Sequence, residues 1–383
     1  MRILFVIDQL DNANNGTVMS TRRFAAILRK MGNEVRFVST GEEAEDKYIV
    51  GELYLPFFNG IIKKQGMMLA SPNKKVLRKA IGWADVVHFL MPFWLAFEGQ
   101  RIAEKMGIPC TATFHIQPEN LSYSLGFGRN FLINTLIDKV FKKFYNHFQY
   151  VHCPSSFIAT ELRQKGYRSN FHVISNGVID GFVYRKQAKP PSAKKFIIVM
   201  IGRLSNEKRQ DVLIDAVKKS RHSGDIQLVL AGIGPKRKKY EKMGNKLKNP
   251  AIIQFFDQEG LKDLLASSDL YVHASDAEIE GISCIEAFSS GLVPVISDSA
   301  KSATSQFAMD KRSLFKNGSS DDLAQKIDYW LDHEKERREM EITYAEYGKQ
   351  FRIEPCVKKF EEMLREAVLS EKKKHPAALK ESK

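Results

Sequence analysis

Short apolar runs recur along the chain with amphipathic stretches between them, the alternation expected when helices cover both faces of a parallel sheet. In the first half the strand-like runs are Ile3 to Ile7, Glu34 to Ser39, Val86 to Leu90, Cys110 to Phe114 and Tyr150 to Cys153. A helix from Thr21 to Met31 stops at Gly32. At Lys195 to Ile201 the pattern begins afresh, with a helix at Gln210 to Ser220 and strands at Gln227 to Ala231 and Pro294 to Ser297. The stretch between, Tyr184 to Lys195, is charged, proline-bearing and poor in apolar residues, so it reads as a linker. The expected fold class is α/β: two Rossmann-like, doubly wound parallel-sheet domains at 1–185 and 195–345, facing a cleft and joined by a linker at 186–194. A helix at 346–369 is expected to cross back to the N-terminal domain, and the basic tail at 370–383 to be disordered. Ligands of such sheets bind beyond the carboxyl ends of the strands, which puts the expected chemistry in that cleft.

Length and composition agree with this picture. A chain of 383 residues exceeds what one core organises, and 43% apolar with 27% charged residues is ordinary for a folded soluble protein. No run approaches the roughly 18 to 20 apolar residues needed to span a bilayer. The opening MRILFVIDQL fits a buried parallel strand better than a secretory signal, so the protein is expected in the cytoplasm. Cys110, Cys153, Cys284 and Cys356 form no CxxC pair and read as reduced core thiols. The net charge of +14 and pI near 9.4 call for an anionic partner: nucleic acid, acidic lipid or a phosphorylated substrate. Nucleic-acid motifs are absent, which leaves the other two ahead.

The segment Ser275 to Gly291, SDAEIEGISCIEAFSSG, carries the most information. Glu278 and Glu286 flank Gly281, Ile282 and Ser283, which stand just before an apolar-periodic stretch, so the pattern reads as strand, loop and helix start. A helix N-terminus suits a diphosphate, and carboxylates beside a phosphate site are useful only toward hydroxyls such as those of ribose or a sugar. The alternative is a capped surface helix with two solvated glutamates. In IGRLSNEK, residues 201–208, Arg203 and Lys208 follow a strand and can neutralise a diphosphate leaving group in place of a metal, or can be a plain basic loop. Gly16, after Asn14 and Asn15, allows backbone N–H groups to approach a phosphate, although a simple turn fits as well. His115 ends a strand and is placed either to bind a sugar hydroxyl or to be a structural histidine.

Together these residues resemble glycosyltransferase family 4, the retaining GT-B enzymes. The likeness rests on Glu278 and Glu286, on Gly202-Arg203 with Glu207-Lys208, on PSSF from Pro154, on NGV from Asn176 and on AGIGP from Ala231, and it runs to about Leu369. It implies hexose transfer from a nucleoside diphosphate sugar, with UDP-glucose or UDP-galactose expected, with retained configuration and no catalytic metal or cofactor. By motif match, Arg203 and Lys208 would bind the diphosphate, Glu286 the ribose, Glu278 the transferred sugar, and His115 would be the active-site histidine. The family's usual EGFG is here Glu278-Ile279-Glu280-Gly281, and its GG is Asn14-Asn15-Gly16, departures that bear on the sugar and acceptor.

The acceptor reading rests on Phe131 to Phe148, where Leu132, Ile133, Leu136, Ile137, Val140, Phe141, Phe144 and Phe148 recur at helical spacing with Lys139, Lys142 and Lys143 read as the opposite face. A basic stretch, Lys63, Lys64, Lys74, Lys75, Arg78 and Lys79, adds to it. Either this helix lies on anionic lipid, with the protein peripheral on the inner membrane face and a lipid such as diacylglycerol as acceptor, or it packs on its own sheet. A saccharide or soluble acceptor, and an inactive nucleotide- or surface-binding module, are the competing functions. No nucleic-acid partner is expected.

Overall fold

The structure is a computed structural model and describes residues 1–11, 16–56, 59–60, 68–124, 130–185 and 195–374. Asn14, Asn15, Lys63, Lys64, the linker at 186–194 and the tail from 375 onward lie outside the described residues.

The chain divides into two compact units, Met1–Asn176 with Glu354–Lys383, and Gly177–Ile353. In unit 1 the strands are β1 Arg2–Val6, β2 Glu34–Ser39, β3 Lys47–Ile49, β4 Val86–Phe89, β5 Cys110–Thr113, β6 Tyr150–Cys153 and β7 Asn170–Val173. They form one sheet in the order β3-β2-β1-β4-β5-β6-β7, with all pairings parallel. Its helices are α1 Gly16–Lys30, α2 Lys74–Trp83, α3 Trp94–Met106, α4 Pro118–Ser124, α5 Phe131–Tyr145 and α6 Ser156–Gln164. Helix α1 begins five residues before the expected Thr21, which makes Gly16 its first residue.

Unit 2 repeats the plan. Strands β8 Phe196–Ile201, β9 Ile226–Ala231, β10 Ile252–Gln254, β11 Leu270–His273, β13 Pro294–Ser297 and β15 Leu314–Phe315 form a parallel sheet in the order β10-β9-β8-β11-β13-β15. A short parallel pair, β12 Ala277–Glu278 with β14 Lys301–Ser302, stands apart. Helices α7 Gln210–Lys219, α8 Arg237–Gly244, α9 Gln258–Ser267, α10 Ile282–Ser289, α11 Ser320–Asp332 and α12 Glu334–Gly348 complete it. The run FIIVMI of β8 is apolar on both faces because helices cover both, and Ile198, Val199 and Met200 are fully buried.

Two expected boundaries shift. Unit 2 starts at Gly177 rather than at 195, because the NGV segment bonds into it: Val178 N–H donates to Phe351 O at 2.7 Å and Ile353 N–H donates to Val178 O at 3.0 Å. The last helix, α13, runs Ile353–Lys374 and so takes in the first five residues of the expected tail.

Helix α13 packs on unit 1 over a buried polar ladder. His88 on β4 stands in register with Thr111 on β5, and Thr113 with His152 on β6. His152 Nε2 lies 2.6 Å from Ile174 O, an acceptor only, so that nitrogen carries the proton and Nδ1 accepts from the Thr113 hydroxyl at 3.0 Å. With its proton spent there, Thr113 accepts from His88 Nε2 at 2.6 Å, and His88 Nδ1 accepts from the Thr111 hydroxyl at 2.7 Å. The chain of donors runs one way and needs both imidazoles neutral. Phe360 of α13 closes over it, edge-on to His88 at 4.8 Å and to His152 at 5.5 Å between ring centroids.

Burial pushes both imidazoles down, His152 to about 4 and His88 well below its ordinary value. The unfolded chain takes up protons at these histidines below its ordinary value of about 6.5, whereas the folded one does not. Their contribution is therefore intact above about pH 6.5 and is lost as pH falls toward 4, by on the order of 3 kcal/mol for His152 alone. The thermal midpoint should drop between pH 7.5 and pH 5, and His152→Phe should flatten that dependence. A midpoint that is level across this range in the wild type would contradict the neutral ladder.

Candidate active site

In unit 2 the strand order runs from β8 to β9 and β10 on one side and to β11, β13 and β15 on the other. Connections after β8 and β11 therefore depart on opposite faces and leave a crevice beyond the carboxyl ends of these two strands. The loops at 202–209 and 274–281 meet there: Asp276 N–H donates to Glu207 O at 2.8 Å, and Arg209 Nη1 lies 3.4 Å from Asp276 Oδ1.

The first loop is held from behind by the turn after β9. Leu204 N–H donates to Ile233 O and Lys236 N–H to Leu204 O, both at 3.0 Å. Only glycine fits so close a crossing, since a Cβ on Gly232 would stand 2.1 Å from Gly202 O and one on Gly234 would stand 2.4 Å from Leu204 O. The Ser205 carbonyl accepts from the Tyr240 hydroxyl at 2.8 Å, and the Arg203 carbonyl from Gln210 Nε2 at 2.9 Å. The loop's backbone is thus anchored on three sides, which leaves its side chains to serve the crevice.

At the meeting point Lys208 Nζ donates to Glu278 Oε1. The same oxygen takes His273 Nε2 at 3.0 Å, His273 Nδ1 lies 2.9 Å from the Tyr271 hydroxyl, and that hydroxyl donates to Ser283 Oγ at 3.1 Å. The Lys208 and Glu278 side chains are 20% and 13% exposed. Burial alone pushes the Glu278 carboxyl up, but the Lys208 charge and the His273 hydrogen bond outweigh it and hold the group well below the usual carboxylate range. It is an anion at neutral pH, ready to accept from hydroxyls. Gly281 sits at φ +82° as the residue before α10, where its missing Cβ would meet Thr304 Cγ2 at 2.2 Å. The backbone N–H groups of Ile282 and Ser283 open that helix, an electropositive end beside the Lys208 cation.

Of the residues singled out in the sequence, the fold brings Lys208 onto Glu278 and ties Ser283 to the same network through Tyr271. Glu278 lies in the short strand β12 rather than in an open loop. Arg203 stands exposed on the neighbouring loop, and Glu286 is buried one turn into α10. His273 and Tyr271 were not singled out. Two polar side chains at alternate positions of the strand LYVH, on one face of an otherwise apolar run, are the signal that could have found them.

In unit 1, His115 lies two residues beyond β5, half-buried, with its ring edge-on to His152 at 6.0 Å; burial, then the neighbouring His152, pushes it down to about 3. Gly16 is exposed at the first turn of α1. Helix α5 corrects the membrane reading in two respects. Lys142 is turned to its own unit, where Nζ donates to Lys165 O at 2.9 Å, so it is not a free surface cation. Lys139 and Lys143 are exposed, but not opposite the apolar residues: at about 100° per residue they share one stripe with Leu132, Leu136 and Val140. That stripe is open, with Leu132 77% and Leu136 64% exposed, whereas Phe141, Phe144 and Phe148 are buried in the unit. Among the described residues no helix is long and apolar enough to cross a membrane.

Comparisons with known proteins bear on this arrangement. The GDP-mannose-dependent alpha-mannosyltransferase of Corynebacterium glutamicum is 28% identical over 316 residues, which cover 77% of this chain and 72% of that protein. Alpha-monoglucosyldiacylglycerol synthase of Streptococcus pneumoniae is 22% identical over 315 residues, covering 77% of this chain and 70% of that one. Among solved structures, Anabaena HepE in complex with UDP and glucose matches over 96% of this chain and 100% of its own with a TM-score of 0.72 at 17% identity, a likeness of fold. Residues 14–180 match Glycosyltransferase Family 4 and residues 184–348 match Glycosyl transferases group 1. With its two parallel-sheet α/β units, the chain belongs to glycosyltransferase family 4 and is a glycosyltransferase of the GT-B type.

Proposed function

We propose that this transferase moves a hexose, glucose or galactose, from a uridine diphosphate sugar to the hydroxyl of a membrane lipid such as diacylglycerol. It does so with retained configuration and no metal ion, peripherally on the cytoplasmic face of the membrane. The observation that carries the donor half is the Lys208–Glu278–His273 cluster at the switch point of unit 2. A diphosphate seated at the start of α10 gives Lys208 a second anionic partner and draws it from Glu278, whose freed oxygen accepts from a sugar hydroxyl. Arg203 adds a second cation, and Glu286 takes the ribose hydroxyls. With two cations on the leaving group, charge developing on the β-phosphate is compensated without a metal. The acceptor hydroxyl attacks on the face from which the phosphate departs and gives its proton to the leaving phosphate oxygen, so no side chain acts as base. By motif match His115 is the active-site histidine and is given the role of orienting the sugar.

The lipid acceptor is supported by the relative named alpha-monoglucosyldiacylglycerol synthase and by the open stripe of Leu132, Leu136 and Val140 beside Lys139 and Lys143. The relative named as GDP-mannose-dependent favours a second donor reading, which a panel of UDP- and GDP-sugars resolves.

Lys208→Ala and Arg203→Ala should each remain folded, Lys208→Ala with a lower thermal midpoint because Glu278 keeps only His273, and each should lose roughly 2 to 4 kcal/mol of transition-state stabilisation, read from kcat/KM. Turnover should persist in EDTA; its loss, with recovery on adding Mg²⁺ or Mn²⁺, would replace the cation pair by a metal. His115→Ala should slow transfer strongly while leaving UDP binding intact, and NMR of the product should show an α linkage. A β-linked product rules out retention.

Membrane attachment is tested apart from chemistry. Lys139→Glu with Lys143→Glu should weaken co-sedimentation with anionic vesicles, by about 1 kcal/mol per basic contact before added repulsion. Transfer to detergent-dispersed acceptor should change far less. Unchanged sedimentation would remove α5 as the membrane contact and leave the donor site untouched.

A further inference from the structure

Among the described residues, Arg209 is the only one other than glycine with a positive φ; it sits at φ +54°, ψ +41°. Chirality makes this left-handed conformation costly for any residue with a Cβ, so a side chain is held there only where the surrounding structure compensates. Arg209 is also the N-cap of α7. Ser, Thr, Asp or Asn at that place would accept from the free N–H groups of the helix, whereas the Arg209 side chain makes no capping bond. Arginine is therefore unfavourable here on two counts, and the compensation lies where its side chain goes.

The guanidinium turns away from α7 and crosses to the loop after β11. Nη1 lies 3.4 Å from Asp276 Oδ1 and 3.5 Å from Oδ2, while Nε lies 3.3 Å from Asp211 Oδ1. It also reaches the turn after β15, where a Cβ on Gly318 would stand 3.6 Å from Nη1. Asp276 is itself fixed, since its N–H donates to Glu207 O at 2.8 Å and its carbonyl accepts from the Ser299 hydroxyl at 2.5 Å. Two adjacent cations thus reach two carboxylates of one facing segment, Lys208 to Glu278 and Arg209 to Asp276. With side chains 29% and 13% exposed, the second pair is screened less than a surface pair.

The two pairs differ in what a ligand does to them. On the reading given under Proposed function, a diphosphate draws Lys208 from Glu278, and one tie between the loops opens as the ligand enters. Arg209 is shared between Asp276 and Asp211 and keeps its partners. We infer that Arg209 is a positioning residue, a clamp that holds the loop at 202–209 against the loop at 274–281 while Lys208 changes partners. This inference rests on that reading of the donor site. In the unliganded protein Lys208 still bridges to Glu278, so removing the clamp is felt when the nucleotide binds rather than when the chain folds.

The full chain is titrated calorimetrically with UDP and with GDP, and the thermal midpoint of each variant is recorded without ligand. Arg209→Gly adopts the left-handed conformation without strain, so its midpoint should equal or exceed that of the wild type. It should nevertheless bind the nucleotide at least about fivefold more weakly, the size of a lost coupling between neighbouring groups. Arg209→Lys returns a cation to the strained backbone and should bind more tightly than Arg209→Gly while melting no higher. A role in stability alone would make affinity follow the midpoint instead. Asp276→Asn should weaken binding to a similar degree, and the double variant should bind no more weakly than the weaker single one, since both substitutions remove the same pair. Lys208→Ala separates the clamp from the reading beneath it. If that variant keeps wild-type nucleotide affinity, or the wild type binds neither nucleotide, both are overturned. If Lys208→Ala weakens binding but Arg209→Gly does so by less than about fivefold, or the losses of Arg209→Gly and Asp276→Asn multiply, the clamp alone is overturned.

Discussion

Lys208 and Glu278 satisfy each other, and the loops that carry them are held around that contact. Opposite charges this well buried are stable only while paired and hydrogen-bonded, and His273 supplies the second bond to the same carboxylate oxygen. The residues concerned are 70 positions apart in sequence, so the pair fixes the loop after β8 against the loop after β11. A ligand that engages Lys208 must offer an anion of its own, and one that engages Glu278 must offer a proton donor. A sugar joined to a diphosphate offers both in one molecule, so under the proposed function one ion pair would select for the whole donor rather than for either half.

The precision of this contact depends on backbone rather than on side chains. Gly232 and Gly234 let the turn after β9 press against residues 202–204, and Gly281 turns the chain into α10 with a left-handed conformation that a side chain would strain. These positions were legible as motifs because each is local: a glycine after an apolar run, an acid eight positions before another. The two-unit plan was legible for a similar reason, since fully buried parallel strands announce themselves as short apolar runs such as FIIVMI. What stayed hidden depends on how the chain turns after β11. His273 and Tyr271 match no motif, and their role shows only when that turn brings Glu278, five positions on, and Ser283, twelve positions on, beside them.

Helix α5 shows the limit of periodicity in a different way. Eight apolar residues recur at helical spacing, but they fall on two stripes: Phe141 and Phe144, followed by Phe148, are buried in the unit, whereas Leu132, Leu136 and Val140 stay open. Spacing records which residues share a face, not which part of a broad apolar face the neighbouring elements cover. The lysines fared likewise. Lys142 finds a backbone acceptor at Lys165, 23 residues on, so its ammonium is spent inside the unit, while Lys139 and Lys143 face solvent among apolar side chains. A stripe of mixed apolar and basic groups suits the boundary between water and an anionic surface better than either a purely charged or a purely apolar face would.

The two units also differ in how the chain completes them. Unit 2 is one continuous stretch, Gly177–Ile353, so its sheet and its ion pair can form from that stretch alone. Unit 1 needs α13, which arrives last: Asn33 Nδ2 donates to Glu361 Oε1 at 2.9 Å across 328 positions, and Phe360 covers the His88–Thr113–His152 ladder. Contacts of such separation carry a large loop-closure cost until everything between them is ordered. The loops that carry Lys208 and Glu278 are set by local strand ends, whereas His115 lies edge-on to His152, which Phe360 of the last helix covers.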